Sequence, residues 1–517
     1  MRLTWIYAAL LTLLVGAALV PFHLNPDAFM ADDAYFYLQV ADHIRQGHGS
    51  TFHEITQTNG YHPLWMLCCV VGAFISGGDK TVLLQLMAFV QDGLFLASIF
   101  LLWRCGQRLE LKFFSLGLFV LTLVMVMVGG LRLFESHLSI MLQMAMLLLF
   151  LKCKETPDWK NFIWMGVTMG LCMLARMDTV FFCAIIWLAL IWQQPRKILL
   201  LTLPPFAMLI PYLVDNYVSF GHIVPVSGAI KSTFPNIDLS YYHLGLHGGP
   251  VVVTAVLLSA CSLMVEQTKK NRQFFAILFF GVVLHALYLA AFSVGSQWYY
   301  TTAYITIAFS LMSIATFLSG KLSKAFSVIC SVMTLLAFSF FLVISFLKTQ
   351  YHFSVTLVFK GKESLTETSA EMPAAKRLAE RLKKEFPQNT AFFMFDYPGM
   401  VAYYSGMKIF PFDGLMNDFS YNYHVADLGV SSYAKQKEID YIIVPVAIAG
   451  KEYDRGPLHI WTESGLDTNI EVFTPIGNRK AGRLTLPNDQ IIFRMPNPVS
   501  PLNKEFPEIA LWKIHQA

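Results

Sequence analysis

Charge is scarce in this sequence: Asp, Glu, Lys and Arg supply 14% of its 517 residues, where a soluble domain carries about a quarter. The shortage leaves 55% hydrophobic residues and a mean hydropathy of +0.52, which excludes an ordinary soluble globule and requires lipid-facing segments. Also lacking is any strong charge imbalance. The net charge is +4, and no basic stripe points to nucleic acid. All eight cysteines (68, 69, 105, 153, 172, 183, 261 and 330) precede residue 348. The C-terminal third therefore has no disulfide framework and no cysteine-based zinc site. There is no internal repeat and no low-complexity tract. No small-residue cleavage site follows the first apolar run (PFHLNPDAFM), so that run reads as an uncleaved span.

What is present is a series of apolar runs at 3–21, 81–103, 113–130, 137–151, 161–175, 179–194, 198–214, 251–265, 274–294, 301–319 and 325–347. The run 63–77 (PLWMLCCVVGAFISG) is shorter than the ~20 residues of a span. If it does not cross, the cytoplasmic loops collect 14 basic residues, from Arg2 through Arg104, Lys152, Arg196 and Lys269 to Lys324, against five outside (Arg45, Lys80, Arg132, Arg176 and Lys231). If it crosses, the later loops invert. The excess of basic residues in cytoplasmic loops favours the first arrangement. The reading is an all-α polytopic bundle of about eleven transmembrane helices, N-terminus inside and C-terminus outside, with 63–77 re-entrant. Residues 1–347 form the membrane module, with a first external loop at 22–80. Residues 348–517 hold 19 of the 38 basic residues and read as a small soluble α/β domain: an amphipathic helix at 370–385 and strands at 391–395, 440–445 and 490–494.

Ionisable residues close to a bilayer are costly and mark function or pairing. In this topology the conspicuous ones lie outside: Asp32 and Asp33, Glu135, Arg176 with Asp178, Lys231, and beside them Trp298-Tyr299-Tyr300. The sharpest signal is ADDAYFYLQVADHIRQGHG at 31–49. It reads as a helix from Ala31 to Gln46, ended by Gly47 and Gly49, with two carboxylates at its positive end. An ionised carboxylate there can take a proton from a substrate hydroxyl; it can equally serve only as a helix cap. The first-loop histidines 43, 48, 53 and 62 offer no His-x-x-x-His pair with a carboxylate, so no zinc site is expected. A divalent cation on Asp32 and Asp33 with a substrate phosphate stays open.

The run DDAYFYLQVADHIRQGHG followed by TNGYHPLW (58–65, with Asn59) resembles the GT-C superfamily of membrane glycosyltransferases. It is most like bacterial arabinofuranosyltransferases and more distantly like aminoarabinose and protein-mannosyl transferases. GGLRLFESHL (129–138), LARMD (174–178), NYVSFGHIVPVSGAIK (216–231), QWYY (297–300), FDYPGMVAYYSG and PFDGLMND (395–418) resemble further family pieces in the same order. LRLFES departs from the Gly-Met-Glu that relatives often carry. The resemblance implies an enzyme of a bacterial inner membrane facing the periplasm or exterior. It would move a sugar from a polyprenyl-phosphate donor to a glycan or lipid acceptor. Carried over, it makes Asp32 the base and Asp33 an orienting group. It makes Arg176 the partner of the departing phosphate with Lys231 second, and puts Trp298, Tyr299 and Tyr300 against sugar. Asp396 and Asp413 would reach the acceptor from above. The rivals are protein O-mannosylation and, in another class, a lipid or solute transporter. A transporter would use intramembrane carboxylates, of which Asp92 is the candidate.

Overall fold

The computed structural model describes residues 2–127, 132–232, 249–266, 268–290, 297–321, 324–351, 371–395, 397–455, 458–474, 479–497 and 506–514. The apolar runs become helices: α1 (Arg2–Leu24), α4 (Lys80–Arg108), α5 (Phe114–Thr122), α6 (Ser136–Glu155), α7 (Trp159–Ala175), α8 (Val180–Gln193) and α9 (Ile198–Phe220). Gly249–Val265, Lys269–Leu289, Thr301–Lys321 and Lys324–Tyr351 follow. Seven helices among the described residues are long and apolar enough to cross a membrane. The other four expected spans fall on shorter helices. One of them, the 113–130 run, is α5 continued by a π-helical turn at Leu123–Met127. The 63–77 run is α3 (Pro63–Ser76), packed between α4 and the first-loop helix α2 (Asp32–Gln46). Fourteen residues rise about 21 Å, short of a ~30 Å hydrocarbon core.

Burial separates inside from outside. In α6 most side chains are buried, including polar Ser139 and Gln143, which hydrogen-bond within the bundle. α9 instead exposes Leu199, Leu203, Phe206, Ile210, Val214 and Tyr217, an apolar stripe at helical spacing that suits lipid. α7 meets α9 through Gly166 and Gly170. A Cβ at Gly166 would lie 2.8 Å from the Leu201 carbonyl oxygen, and one at Gly170 3.0 Å from Pro205 Cα. Small residues four apart let two membrane helices approach this closely.

Asp92, the carboxylate a transporter would use, is tied up. It accepts from Arg132 Nη2 at 2.9 Å and contacts His23 Nε2 at 2.7 Å. Arg132, counted above as an outer-loop residue, is almost fully buried on the ring of Phe22.

The C-terminal region is an α/β domain with an added sheet. Its first sheet has the order β2-β1-β3-β9-β8, from β1 (Ala391–Met394), β2 (Lys408–Pro411), β3 (Tyr441–Pro445), β8 (Phe493–Pro496) and β9 (Glu508–Lys513). β1 is parallel to β2 and β3, whereas β9 is antiparallel. The helix Glu371–Glu385 agrees with the amphipathic pattern. The strand expected at 490–494 begins later, because Asn488–Gln490 form a 3₁₀ turn. An antiparallel sheet of β4 (Glu452–Arg455), β5 (Leu458–Trp461), β6 (Asp467–Thr474) and β7 (Arg479–Pro487) has no counterpart in the sequence reading.

The domain sits on the first loop. Lys376 pairs with Asp27, Tyr404 donates to Asp27 at 2.8 Å, and Tyr403 donates to the Lys80 carbonyl at 2.6 Å. The His53 ring stacks on Phe410, centroids 3.7 Å apart.

Candidate active site

The first-loop helix begins one residue later than expected, with Asp32 and Asp33 in its first turn and no side chain capping it. The two aspartates then diverge. Asp32 turns to the C-terminal domain, where its carboxylate accepts from the backbone N–H groups of Gly399 (2.8 Å) and Met400 (2.7 Å). Those amides open the helix Pro398–Ser405, which has no cap from its own N-terminal side chain. Asp32 thus caps a helix 367 residues away, satisfying amides that would lack intrahelical partners. Burial of the carboxyl pushes its pKa up to about 8 against the pull of those two amides.

Asp33 lines a cavity of about 610 Å³. Its walls gather Tyr37, Tyr61, His62, Glu135, Arg176, Asp178, Lys231, Trp298 and Tyr299, roofed by Leu415 and Met416 of the C-terminal domain. α2 supplies Asp33 and, one turn on, Tyr37, because residues four apart share a helix face. α6 supplies Glu135 at its N-terminal end, the α7–α8 turn supplies Arg176 and Asp178, and the short helix α10 (Val226–Lys231) supplies Lys231.

The floor is an ion network. Arg176 donates to both oxygens of Asp178 (Nε–Oδ1 3.1 Å, Nη2–Oδ2 2.8 Å) and to Glu135 Oε1 through Nη1. Tyr37 donates to Glu135 Oε2 at 2.9 Å, and His285 Nε2 lies 3.2 Å from Asp178 Oδ2. Only 1% of the Arg176 side chain is exposed, so both faces of its fork are committed to protein carboxylates. Burial lowers the guanidinium pKa, yet Asp178 and Glu135 outweigh it and hold the pKa above its ordinary value. Burial likewise raises the Asp178 carboxyl, but Arg176 and His285 overcome it and leave Asp178 well below the carboxylate range.

Lys231 is half-buried on the cavity wall, its Nζ 5.8 Å from the centre of the Tyr299 ring. Burial lowers its pKa, but Tyr299 and Asp33 carry it up to about 12. His62, also in the lining, is held below its ordinary value by burial, with Glu135 opposing. At neutral pH the cavity thus offers carboxylate oxygens, an ammonium and a neutral imidazole.

Of the residues singled out in the sequence, the fold brings Asp33, Glu135, Arg176, Asp178, Lys231, Trp298 and Tyr299 to one cavity. The others stand apart from its lining. Tyr300 is buried beside it. Asn59 donates to Asn216 Oδ1 (3.2 Å) and accepts from the Val226 N–H (3.0 Å), fastening the first loop to α9 and α10. Asp413 accepts from the Leu415 N–H at 2.9 Å, shaping the roof turn. Asp396 lies outside the described residues. Tyr37 and His285 were not singled out, and His62 was weighed only as a metal ligand. Tyr37 shares a helix face with Asp33 and His62 lies in the quoted TNGYHPLW, so both had a local signal; His285, in mid-helix, had none.

No family model and no curated protein matches this chain. Solved structures do. ArnT from Cupriavidus metallidurans bound to undecaprenyl phosphate aligns with a TM-score of 0.52 at 10% identity, covering 94% of this chain and 98% of that one. The oligosaccharyltransferase AglB of Archaeoglobus fulgidus, in complex with Zn and sulfate, aligns at 0.49 and 13% identity over 84% of this chain and 68% of its own. The arabinofuranosyltransferase AftD from mycobacteria aligns at 0.44 and 12% identity, over 84% of this chain and 35% of its own. At these identities the likeness is one of fold, and ArnT carries it over nearly the full length of both chains. This chain shares that fold: a multi-pass helical membrane bundle bearing a C-terminal α/β domain.

Proposed function

We propose that this protein transfers a sugar from a polyprenyl-phosphate donor to a hydroxyl of a cell-envelope glycan or lipid, at the extracytoplasmic face of the inner membrane. The observation that carries the reading is the cavity between the first loop, α6, α10 and the C-terminal domain. One carboxylate, Asp33, and one ammonium, Lys231, share the cavity with the Arg176–Asp178–Glu135 ion network. The fold shared with ArnT, which binds undecaprenyl phosphate, supports the donor class.

The transfer is a single displacement. Asp33 takes the acceptor hydroxyl proton as the oxygen bonds to the anomeric carbon. The bond from that carbon to the phosphate oxygen breaks, and the electron pair leaves with the polyprenyl phosphate. Attack opposite the leaving group inverts the anomeric centre. The base is thus assigned to Asp33 rather than Asp32, whose oxygens already accept two backbone N–H groups. Lys231, rather than Arg176, faces the departing phosphate, because the guanidinium is held by two carboxylates. Trp298 and Tyr299 on the cavity wall suit the apolar face of a sugar ring. Were a divalent ion to bind here, Asp33 is the cavity carboxylate that would hold it, and the ion would supply positive charge toward a donor phosphate.

The test is transfer in vitro with a panel of polyprenyl-phosphate sugars and envelope acceptors. Turnover with at least one donor and release of the lipid phosphate are expected. Silence across the panel from folded protein, with no donor binding, contradicts the reading.

A further inference from the structure

Away from the cavity, α2 ends at Gly47, and the chain turns back through left-handed Gly47 (φ +87) and Gly49 (φ +83). The turn brings His43, His48 and Glu54 together, their ligand atoms all within 4.8 Å of one another. Glu54 Oε1 lies 3.5 Å from His43 Nε2 and 3.3 Å from His48 Nδ1. Those spacings have a chemical meaning. Zinc binds imidazole nitrogen at about 2.0–2.1 Å and carboxylate oxygen at about 2.0–2.2 Å, and a tetrahedron of that size has edges of roughly 3.3–3.5 Å.

Three further features suit a metal rather than a chance cluster. First, His43 Nδ1 lies 2.8 Å from the Thr51 carbonyl oxygen, which can only accept. The proton is therefore on Nδ1, so Nε2 keeps its lone pair, with Gln39 Nε2 3.0 Å and Glu54 Oε1 3.5 Å from it; this is the carbonyl-oriented tautomer that metal-binding histidines adopt. Second, Glu54 holds φ +63, a backbone region that non-glycine residues occupy at a cost and that clusters at ligand sites. Third, Gln39 has its Nε2 3.0 Å from His43 Nε2, while its Oε1 is buried without a hydrogen-bond partner. The two ends of an amide are interchangeable by shape, and turning it over presents Oε1 toward His43 Nε2 as a fourth ligand.

We infer that His43, His48 and Glu54, with Gln39 Oε1 able to complete the set, form a binding site for one divalent transition ion of the Zn²⁺ type. Its nitrogen-rich donor set with one carboxylate selects zinc over Mg²⁺ or Ca²⁺, which require oxygen cages. Zinc at His43 and His48 was not expected from the sequence, because the ligands are 5 and 6 residues apart and meet only through the two-glycine turn. The ion would staple the end of α2 to the loop whose other end carries Tyr61 and His62 into the cavity.

The full-length protein, purified through a tag without histidine, is assayed for bound metal by elemental analysis. Co²⁺ titration then reads tetrahedral ligand-field absorption. About one zinc per chain and a tetrahedral cobalt spectrum are expected. His43→Gln should abolish both. His48→Ala and Glu54→Gln, whose side chains are partly exposed, spare the fold and should weaken zinc affinity by more than the roughly 10–100-fold that losing an outer-shell partner costs. Absence of bound zinc with no cobalt spectrum, or stoichiometric zinc retained in all three variants, overturns the inference.

Discussion

Replacing Arg176 with methionine separates a scaffold from a phosphate ligand. The substitution keeps most of the volume and removes the charge, leaving Glu135 and Asp178 facing each other's field in a buried place. Arg176 makes a two-bond contact with Asp178 (3.1 and 2.8 Å) and a third with Glu135. Removing one partner from a buried ion pair costs about 3–5 kcal/mol. At about 1.4 kcal/mol per decade, that is roughly two to almost four orders of magnitude in the folding equilibrium. Thermal unfolding in detergent, followed by intrinsic tryptophan fluorescence, should therefore show a large loss of stability for Arg176→Met. Adding Asp178→Asn and Glu135→Gln removes the uncompensated charges and should recover most of it, since neutralised buried pairs are often tolerated. Were Arg176→Met to unfold like the parent while losing donor affinity, the guanidinium would belong to the phosphate and the scaffold argument would fail.

Other outcomes follow from the seam between the first loop and the C-terminal domain. A Cβ at Gly60 would lie 2.0 Å from the Leu415 carbonyl oxygen, and one at Gly399 2.4 Å from that of Asp32. Gly60→Ala and Gly399→Ala should each make the C-terminal domain more sensitive to limited proteolysis, whereas Gly93→Ala, with nothing within 4 Å, should not; equal protection of all three contradicts the seam. His53, stacked on Phe410, is held by burial at a pKa of about 3, down from 6.5. Between those values the unfolded chain binds a proton that the folded chain does not. His53 therefore contributes stability above about pH 6.5 that drains away as pH falls toward 3. His53→Phe should flatten that part of the stability–pH curve, and an unchanged curve rejects the assignment. Reporter fusions after Lys80 and after Lys112 should read outside and inside respectively if α3 does not cross; the reverse inverts the topology.

The membrane helices were legible because each run of apolar residues has no other way to satisfy its backbone in lipid. Helix α2 was legible through its glycines and its paired acids. Which of the two acids faces the cavity was not, since neighbours on a helix point about 100° apart. The choice depends on a helix start at Pro398 that no local pattern links to Asp32. The same limit explains Arg176: its charge is conspicuous in LARMD, but its commitment to Glu135, 41 residues earlier, is tertiary. In QWYY, Trp298 and Tyr299 reach the cavity while Tyr300 points into the core, a difference set by the 3₁₀ turn at Gln297–Tyr299. The sheet β4–β7 escaped because its strands, such as EYDR and RKAGRLTLP, are polar and carry little of the apolar alternation that marks a strand.

The central claim, that Asp33 rather than Asp32 takes the acceptor proton, is tested by single-turnover transfer with a polyprenyl-phosphate sugar in Asp33→Asn and Asp32→Asn. An amide at position 33 cannot accept the proton, so turnover should fall by roughly 10²–10⁴ with normal folding. An amide at position 32 still offers one oxygen to Gly399 and Met400, so turnover should stay within about tenfold of the parent, the loss appearing instead as weaker docking of the C-terminal domain. Near-normal turnover in Asp33→Asn together with abolished turnover in folded Asp32→Asn would contradict the account.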